Sequence, residues 1–208
     1  MEVQYFGANC VRVNTKKANI IIDDTLQDAG LKSVTKPGEI ALFTSAHAGP
    51  AAAVEIVIDQ PGEYEISDTS IQGISARAHI DEEGQHSATI FKIIAEDIRV
   101  VVLGHIYPEL NEGQLESIGT IDVLLIPVGG NGYTLDPTGA LKLIKMIEPK
   151  IVIPTHYNDK AVKYPVPQQD LEDALKNMSM EPKERTDKLK LKAGEIAESN
   201  QLIVLERQ

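Results

Sequence analysis

Two uninterrupted apolar runs near the middle of the chain, "IDVLLIPVG" and "KIVIPTHY", constrain the fold more than any other feature. Neither alternates polar and apolar residues, so each reads as a strand covered on both faces. Between them lies "DPTGALKLIKMIEP". Asp136 suits a helix N-cap and Pro137 the first helical position. Leu141, Ile144 and Ile147 then fall on one face. The pattern is β-α-β. Upstream, "VQYFG", "CVRVNT", "NIIIDD", "IALFTS", "VEIVID", "YEISDTSIQGIS", "ATIFKIIA" and "IRVVVLG" are β-branched runs broken by Gly, Asn, Asp or Pro. Short links such as "NTKKAN" and "SDTS" predict hairpins and antiparallel pairing. "NEGQLESIG" and "PQQDLEDALKNM" read as helices, and "DKLKLKAG" and "NQLIVLE" as closing strands. No internal repeat or low-complexity linker interrupts this order. The expectation is one domain, residues 1–208, with a sheet-rich core and helices outside.

Composition narrows the function. The chain has 208 residues, room for a sizeable core, and 42% hydrophobic with 25% charged residues is ordinary for a soluble protein. A net charge of -11 argues against nucleic acid or an anionic membrane as partner, since phosphate neutralisation needs clustered cations. The one basic stretch, "KERTDKLKLK", is interleaved with acids and reads as a solvated face. Trp is absent, which disfavours a base-stacking platform. No apolar run reaches the length of a membrane span, and "MEVQYFGANC" has no signal-peptide pattern, so the cytoplasm is the simplest location. Cys10 is the only cysteine. It lies in a strand pattern and reads as a buried small residue, so any metal must be held by His, Asp or Glu.

Four of five histidines terminate or follow predicted strands: His47 after "IALFTSA", His79 after "IQGISARA", His105 after "IRVVVLG" and His156 after "KIVIPT". Each alone reads as an ordinary hydrogen-bonded histidine. Together, at strand ends that a rigid sheet positions, they suggest one shared site. His86, in "EEGQHS", lies in a polar turn and is expected to be exposed. "GGNG" lacks dinucleotide-binding spacing and more readily lets backbone approach the site. Ser45 beside His47 lacks an evident acid to orient a catalytic pair.

The chain resembles the metallo-β-lactamase superfamily, in particular a bacterial group of small metal-dependent hydrolases related to ascorbate-phosphate lactonases. "YFGANCVRV" with "IIID", "DQPGEYEI", "VVVLGH", "DVLLIPVGG…YTLDPTGA", "PKIVIPTHY" and "KLKLKAGEI…LIVLE" carry the resemblance over almost the whole length. It implies a four-layer αββα sandwich. It also implies a reduced metal motif. Where the family has His-x-His-x-Asp-His, this chain has Ser45, His47, Gly49 and Pro50. His79 and His156 match family histidines, and His105 stands where the family has a bridging Asp. An early His-Ser pair reads Ala8-Asn9. Asp23 is kept, Asp24 replaces a proline, and Asp23 and Asp81 are expected to support ligands rather than bind.

Two dications about 3.5 Å apart repel by roughly 19 kcal/mol at an effective dielectric of ~20. Carboxylates normally offset this, and both matched positions have lost theirs. An ordinary two-metal site is therefore rejected unless Asp81 or Glu63 turns inward. His47, His79, His105 and His156 suit at most one zinc or another transition metal. Three histidines and a water would make an open site, and four a closed structural one. Two functions stay open. One is a hydrolase of a small ester, lactone or phosphoester. The other is a non-catalytic, metal-free protein that binds a small molecule or partner through the old cleft. A homo-oligomer is compatible with either.

Overall fold

The computed structural model describes residues 1–46, 49–50 and 52–208. Two mixed sheets pack face to face. The first has six strands: β1 (Glu2–Gly7), β2 (Cys10–Asn14), β3 (Asn19–Ile22), β4 (Ile40–Leu42), β5 (Ile56–Ile58) and β13 (Leu189–Lys190), in the order β13-β1-β2-β3-β4-β5. The second has eight: β6 (Gly62–Ile66), β7 (Thr69–Ala76), β8 (Ala88–Ala95), β9 (Ile98–Val102), β10 (Val123–Pro127), β11 (Ile151–Thr155), β12 (Pro182–Thr186) and β14 (Gln201–Leu205). Their order is β12-β14-β11-β10-β9-β8-β7-β6.

The expected β-α-β unit is present. β10 and β11 pair in parallel, every residue of both is buried, and α2 (Pro137–Ile147) joins them, capped by Asp136 through Gly139 N at 2.7 Å. Short links do make antiparallel pairs at β1-β2, β2-β3, β6-β7, β7-β8 and β8-β9. Ser67-Asp68 and Glu96-Asp97 turn their hairpins with both residues at positive φ, the two-residue geometry that matches strand twist. β3, β4 and β5 instead run parallel, because longer segments separate them.

Apolar residues fill two main layers. Val11, Ile20, Leu42, Phe91, Val100 and Leu125 belong to the core between the sheets. The outer face of the eight-stranded sheet is covered by α1 (Glu112–Ile118), α2 and α3 (Leu171–Met178), through Ile118, Leu143, Ile144, Leu175 and Met178. The outer face of the six-stranded sheet carries a smaller cluster around Phe6, Ile21, Leu26 and Phe43. Among the described residues its cover is the irregular segment 23–39 rather than a helix. Two acids organise that segment. Asp24 Oδ2 accepts from Ser33, Val34 and Thr35, and buried Glu39 pairs with Arg12 at 2.7 Å while Arg12 also donates to the Val34 carbonyl. No described helix is long and apolar enough to cross a membrane.

Candidate functional site

β1, β3, β4, β7, β9, β10 and β11 share orientation within their sheets, so their carboxyl ends gather at sandwich edges. Loops leaving such ends are where open α/β sheets bind ligands. A cavity of about 410 Å³ opens there, lined by Asn9, Asp23, Ser45, His105, Tyr133 and His156, among others. That volume accepts a small metabolite.

His156 is 3% exposed, with both its backbone and its ring hydrogen-bonded. Its backbone turns left-handed, φ 50°, immediately after β11, and its N–H donates to the Ala8 carbonyl at 2.8 Å. Its Nδ1 lies 3.1 Å from Gln168 Oε1. The Gln168 amide donates to the Val166 carbonyl at 3.0 Å, which fixes its oxygen toward the imidazole. Nδ1 therefore carries the proton and Nε2 is left with its lone pair. Gly129 makes this arrangement fit, since a Cβ there would stand 2.1 Å from the His156 carbonyl and 2.2 Å from Gln168 Oε1.

His105 follows β9 through Gly104 at φ 62°, where a Cβ would meet Thr44 Oγ1 at 2.3 Å. That contact locks the end of β9 onto the end of β4. Thr44 in turn donates its N–H and hydroxyl to Asp23, at 2.7 and 2.6 Å. The His105 and His156 rings meet edge to face at 4.5 Å, with Tyr133 4.9 Å from His105 and Tyr164 4.8 Å from His156. Burial lowers the His105 pKa to about 3, helped by His156 and opposed by the Tyr133 backbone. Burial likewise lowers His156 to about 4, opposed by Gln168. Both rings are thus neutral near neutral pH, the protonation state a metal requires. Burial also raises the phenols of Tyr157, to about 12, and Tyr164.

The other expected residues divide. His79 is tied to His105 by its N–H, which donates to the His105 carbonyl at 2.7 Å, and its ring faces Tyr107 at 6.1 Å. His79 Nδ1 and His105 Nδ1 are both buried without a partner. His47 lies outside the described residues. Asp23 lines the cavity and accepts from Thr44 N–H and hydroxyl. Asp81 accepts from Ala78 N, Ser87 N and Ser87 Oγ at 2.6–2.8 Å, so it shapes the turn carrying His79. Desolvation, the largest single influence, raises its pKa, but these bonds and Arg77 together outweigh it and lower the group overall. Glu63 is exposed on β6 and lines a different hollow, so it supplies no charge to this cavity. His86 is exposed.

Sequence reasoning passed over Tyr133, Lys163, Tyr164 and Gln168. Tyr133 falls in "YTLDP" and Gln168 in "PQQDLEDALKNM", expected as a helix although α3 starts only at Leu171, while Lys163 and Tyr164 fall in "NDKAVKYPVP", a proline-bearing loop. Its prolines were the available signal that the loop has a set path. Among the described residues no three His, Cys, Asp or Glu side chains stand close enough to share a metal ion. The described donors that come together are two neutral imidazoles, which fit part of one transition-metal shell. They do not supply the negative charge two metals need.

Known proteins show the same architecture. A Thermotoga maritima protein, a candidate Zn-dependent hydrolase of the metallo-beta-lactamase superfamily, superposes with a TM-score of 0.77 at 25% identity, covering 100% of this chain and 99% of that one. A UPF0173 metal-dependent hydrolase of Salinibacter ruber is 26% identical over 194 residues, 76% of this chain and 85% of that protein. One from Carboxydothermus hydrogenoformans is 48% identical over 44 residues, only 21% of this chain and 19% of that protein. The family model described as the beta-lactamase superfamily domain matches residues 2–156, from the first strand to the last of these histidines, and the chain belongs to that family.

Proposed function

We propose that the chain is a metal-dependent hydrolase-like protein of the UPF0173 kind, holding at most one transition metal in the cavity at the strand ends. The observation that carries this reading is the His105–His156 pair, 4.5 Å apart and neutral at working pH. His105 and His156 would hold the metal, and His79 stands behind His105 through its N–H bond to the His105 carbonyl. A bound zinc would supply Lewis acidity and a water whose pKa is lowered to about 7. The remaining work falls to the chain. Gln168 keeps the His156 lone pair directed away from its own amide, and Tyr133 and Tyr164 pack against the imidazoles. Asp23 fixes the end of β4 through Thr44. Ser45, Gly49 and Pro50 leave the motif without a carboxylate, and this supports one metal rather than two. The proposed substrate is a small ester, lactone or phosphoester, in keeping with the hydrolase relatives.

The second reading is a non-catalytic ligand-binding protein. The lack of three clustered donors among the described residues favours it. The test is hydrolysis of a panel of p-nitrophenyl esters, bis-p-nitrophenyl phosphate and simple lactones by tag-free protein with added zinc or manganese. Turnover that His156→Ala abolishes is expected. No turnover with any metal supports the second reading.

A further inference from the structure

We propose that the open edge of β6 is a docking surface for an extended segment of a partner protein. That segment alternates Lys or Arg with apolar residues and adds to the eight-stranded sheet as a further strand. The surface is independent of the metal reading, since neither β5 nor β6 lines the cavity at the strand ends.

β6 ends the eight-stranded sheet and β5 the six-stranded one. The short link 59–61 joins them, so both edges lie on one side of the sandwich. Edge strands are ordinarily blunted by lysine, proline or brevity. At the opposite edges, β13 has two residues and β12 carries Pro182, Lys183 and Arg185. β6 has neither lysine nor proline, and its inward positions, Tyr64 and Ile66, are only partly buried against the core between the sheets. Ile56 on β5 shows the same opening. It pairs with Ile40 and shares a face with Ile58, both members of that core, yet it is 37% exposed. The core is therefore uncovered along this side among the described residues.

The backbone of β6 is ready for another strand. Ser67 and Asp68 make a two-residue turn, so Ile66 and Thr69, which flank it, exchange both ladder bonds. Alternation along the antiparallel ladder gives the Tyr64–Ile71 pair the same role. Glu63 and Glu65 occupy the intervening positions, so their own N–H and C=O groups point away from β7. These are the groups that an added strand pairs with. Their side chains are exposed on the face opposite Tyr64 and Ile66.

Charge selects the occupant. From Gly38 to Ala76 the sequence has six acids and no Lys or Arg. Two of the six, Glu39 and Asp68, are paired with Arg12 and Lys17 from outside that stretch. Glu55, Asp59, Glu63 and Glu65 make no ion pair among the described residues. Across a strand pair, opposite charges attract and like charges repel. A second copy pairing β6 antiparallel about Tyr64 would set Glu63 of one copy against Glu65 of the other, so the edge disfavours its own kind. An edge built only for protection gains most from a charge turned inward, and here the inward residues are Tyr64 and Ile66. The strand that fits sets Lys or Arg beside Glu63 and Glu65, and apolar side chains beside Tyr64, Ile66 and Ile56.

The test is fluorescence anisotropy with the full chain and a labelled heptapeptide alternating lysine and valine. A control peptide holds the same residues in separate lysine and valine blocks. The parent should bind the alternating peptide about tenfold or more tightly than the block peptide. A Glu63→Gln, Glu65→Gln double variant should bind it about tenfold more weakly than the parent at low salt. Glu65→Pro removes an N–H that no ladder bond uses, and should bind more weakly than Glu65→Gln. Exchange of the Glu63 and Glu65 amide hydrogens in the parent should slow when the peptide binds, a readout that does not depend on the proline variant folding. No binding of the alternating peptide, or equal binding of the block peptide, overturns the proposal. So do unchanged exchange rates, or a folded Glu65→Pro that binds as well as Glu65→Gln. A concentration-dependent dimer of the parent that Glu65→Pro abolishes also overturns it, since the edge is then covered by a second copy.

Discussion

His156 shows how much local structure one imidazole requires. It spends a left-handed backbone, a gap that only Gly129 leaves, and a buried Gln168 to present one lone pair. Gln168→Leu removes the acceptor and leaves Nδ1–H buried. Stability should fall by about 1–3 kcal/mol in urea denaturation. Metal affinity should fall about 10–100-fold, since the ring loses its fixed tautomer. The neutral pair also sets a pH dependence in the metal-free protein. Both folded pKa values, about 3 and about 4, lie below the unfolded value of about 6.5. As the pH falls below about 6.5, the unfolded chain takes up protons that the folded one refuses. Stability is therefore full above that pH and declines toward about pH 4, by at most about 1.4 kcal/mol per pH unit for each histidine. Urea midpoints measured from neutral to acid pH should show this slope, and a His105→Gln, His156→Gln double variant should flatten it.

At the scale of elements, the site depends on strand ends being locked together. The end of β9 meets the end of β4 where Gly104 touches Thr44. Gly104→Ala adds a methyl at positive φ into that contact. It should cost roughly 2–4 kcal/mol, read by chemical denaturation, with His105 displaced. The segment 23–39 is the second such element. Its cover of the six-stranded sheet hangs on the buried Arg12–Glu39 pair. Glu39→Ala strands a buried guanidinium and should destabilise by about 3–5 kcal/mol, a larger loss than removing the exposed Lys17–Asp68 pair. A cost of under about 1 kcal/mol would show that the segment contributes little to the fold.

For the whole molecule, legibility follows the physics of each signal. The runs that became β10 and β11 were readable because burial on both faces leaves no polar position. The Ser67–Asp68 hairpin was readable because so short a link between two strand patterns leaves room only for a tight turn, whereas Glu96–Asp97 turns at positive φ without a turn-forming glycine or asparagine to mark it. The parallel set β3-β4-β5 was not, since pairing across long segments leaves no local mark. The cover over the six-stranded sheet was hidden for the same reason: Asp24 and Glu39 act through backbone amides and one distant arginine. In the site, His105 and His156 were legible as histidines closing apolar strands. Gln168, Tyr133, Tyr164 and Lys163 reach it from loops, where a residue's direction depends on tertiary packing.

The central claim is that this edge of the sandwich holds one metal rather than two, through His105 and His156. Elemental analysis of protein purified without a histidine tag tests it most directly. The account predicts close to one transition metal per chain, lost in a His105→Ala, His156→Ala double variant that still folds. Two tightly bound metals per chain, no metal at all, or one metal that survives the double variant would contradict it.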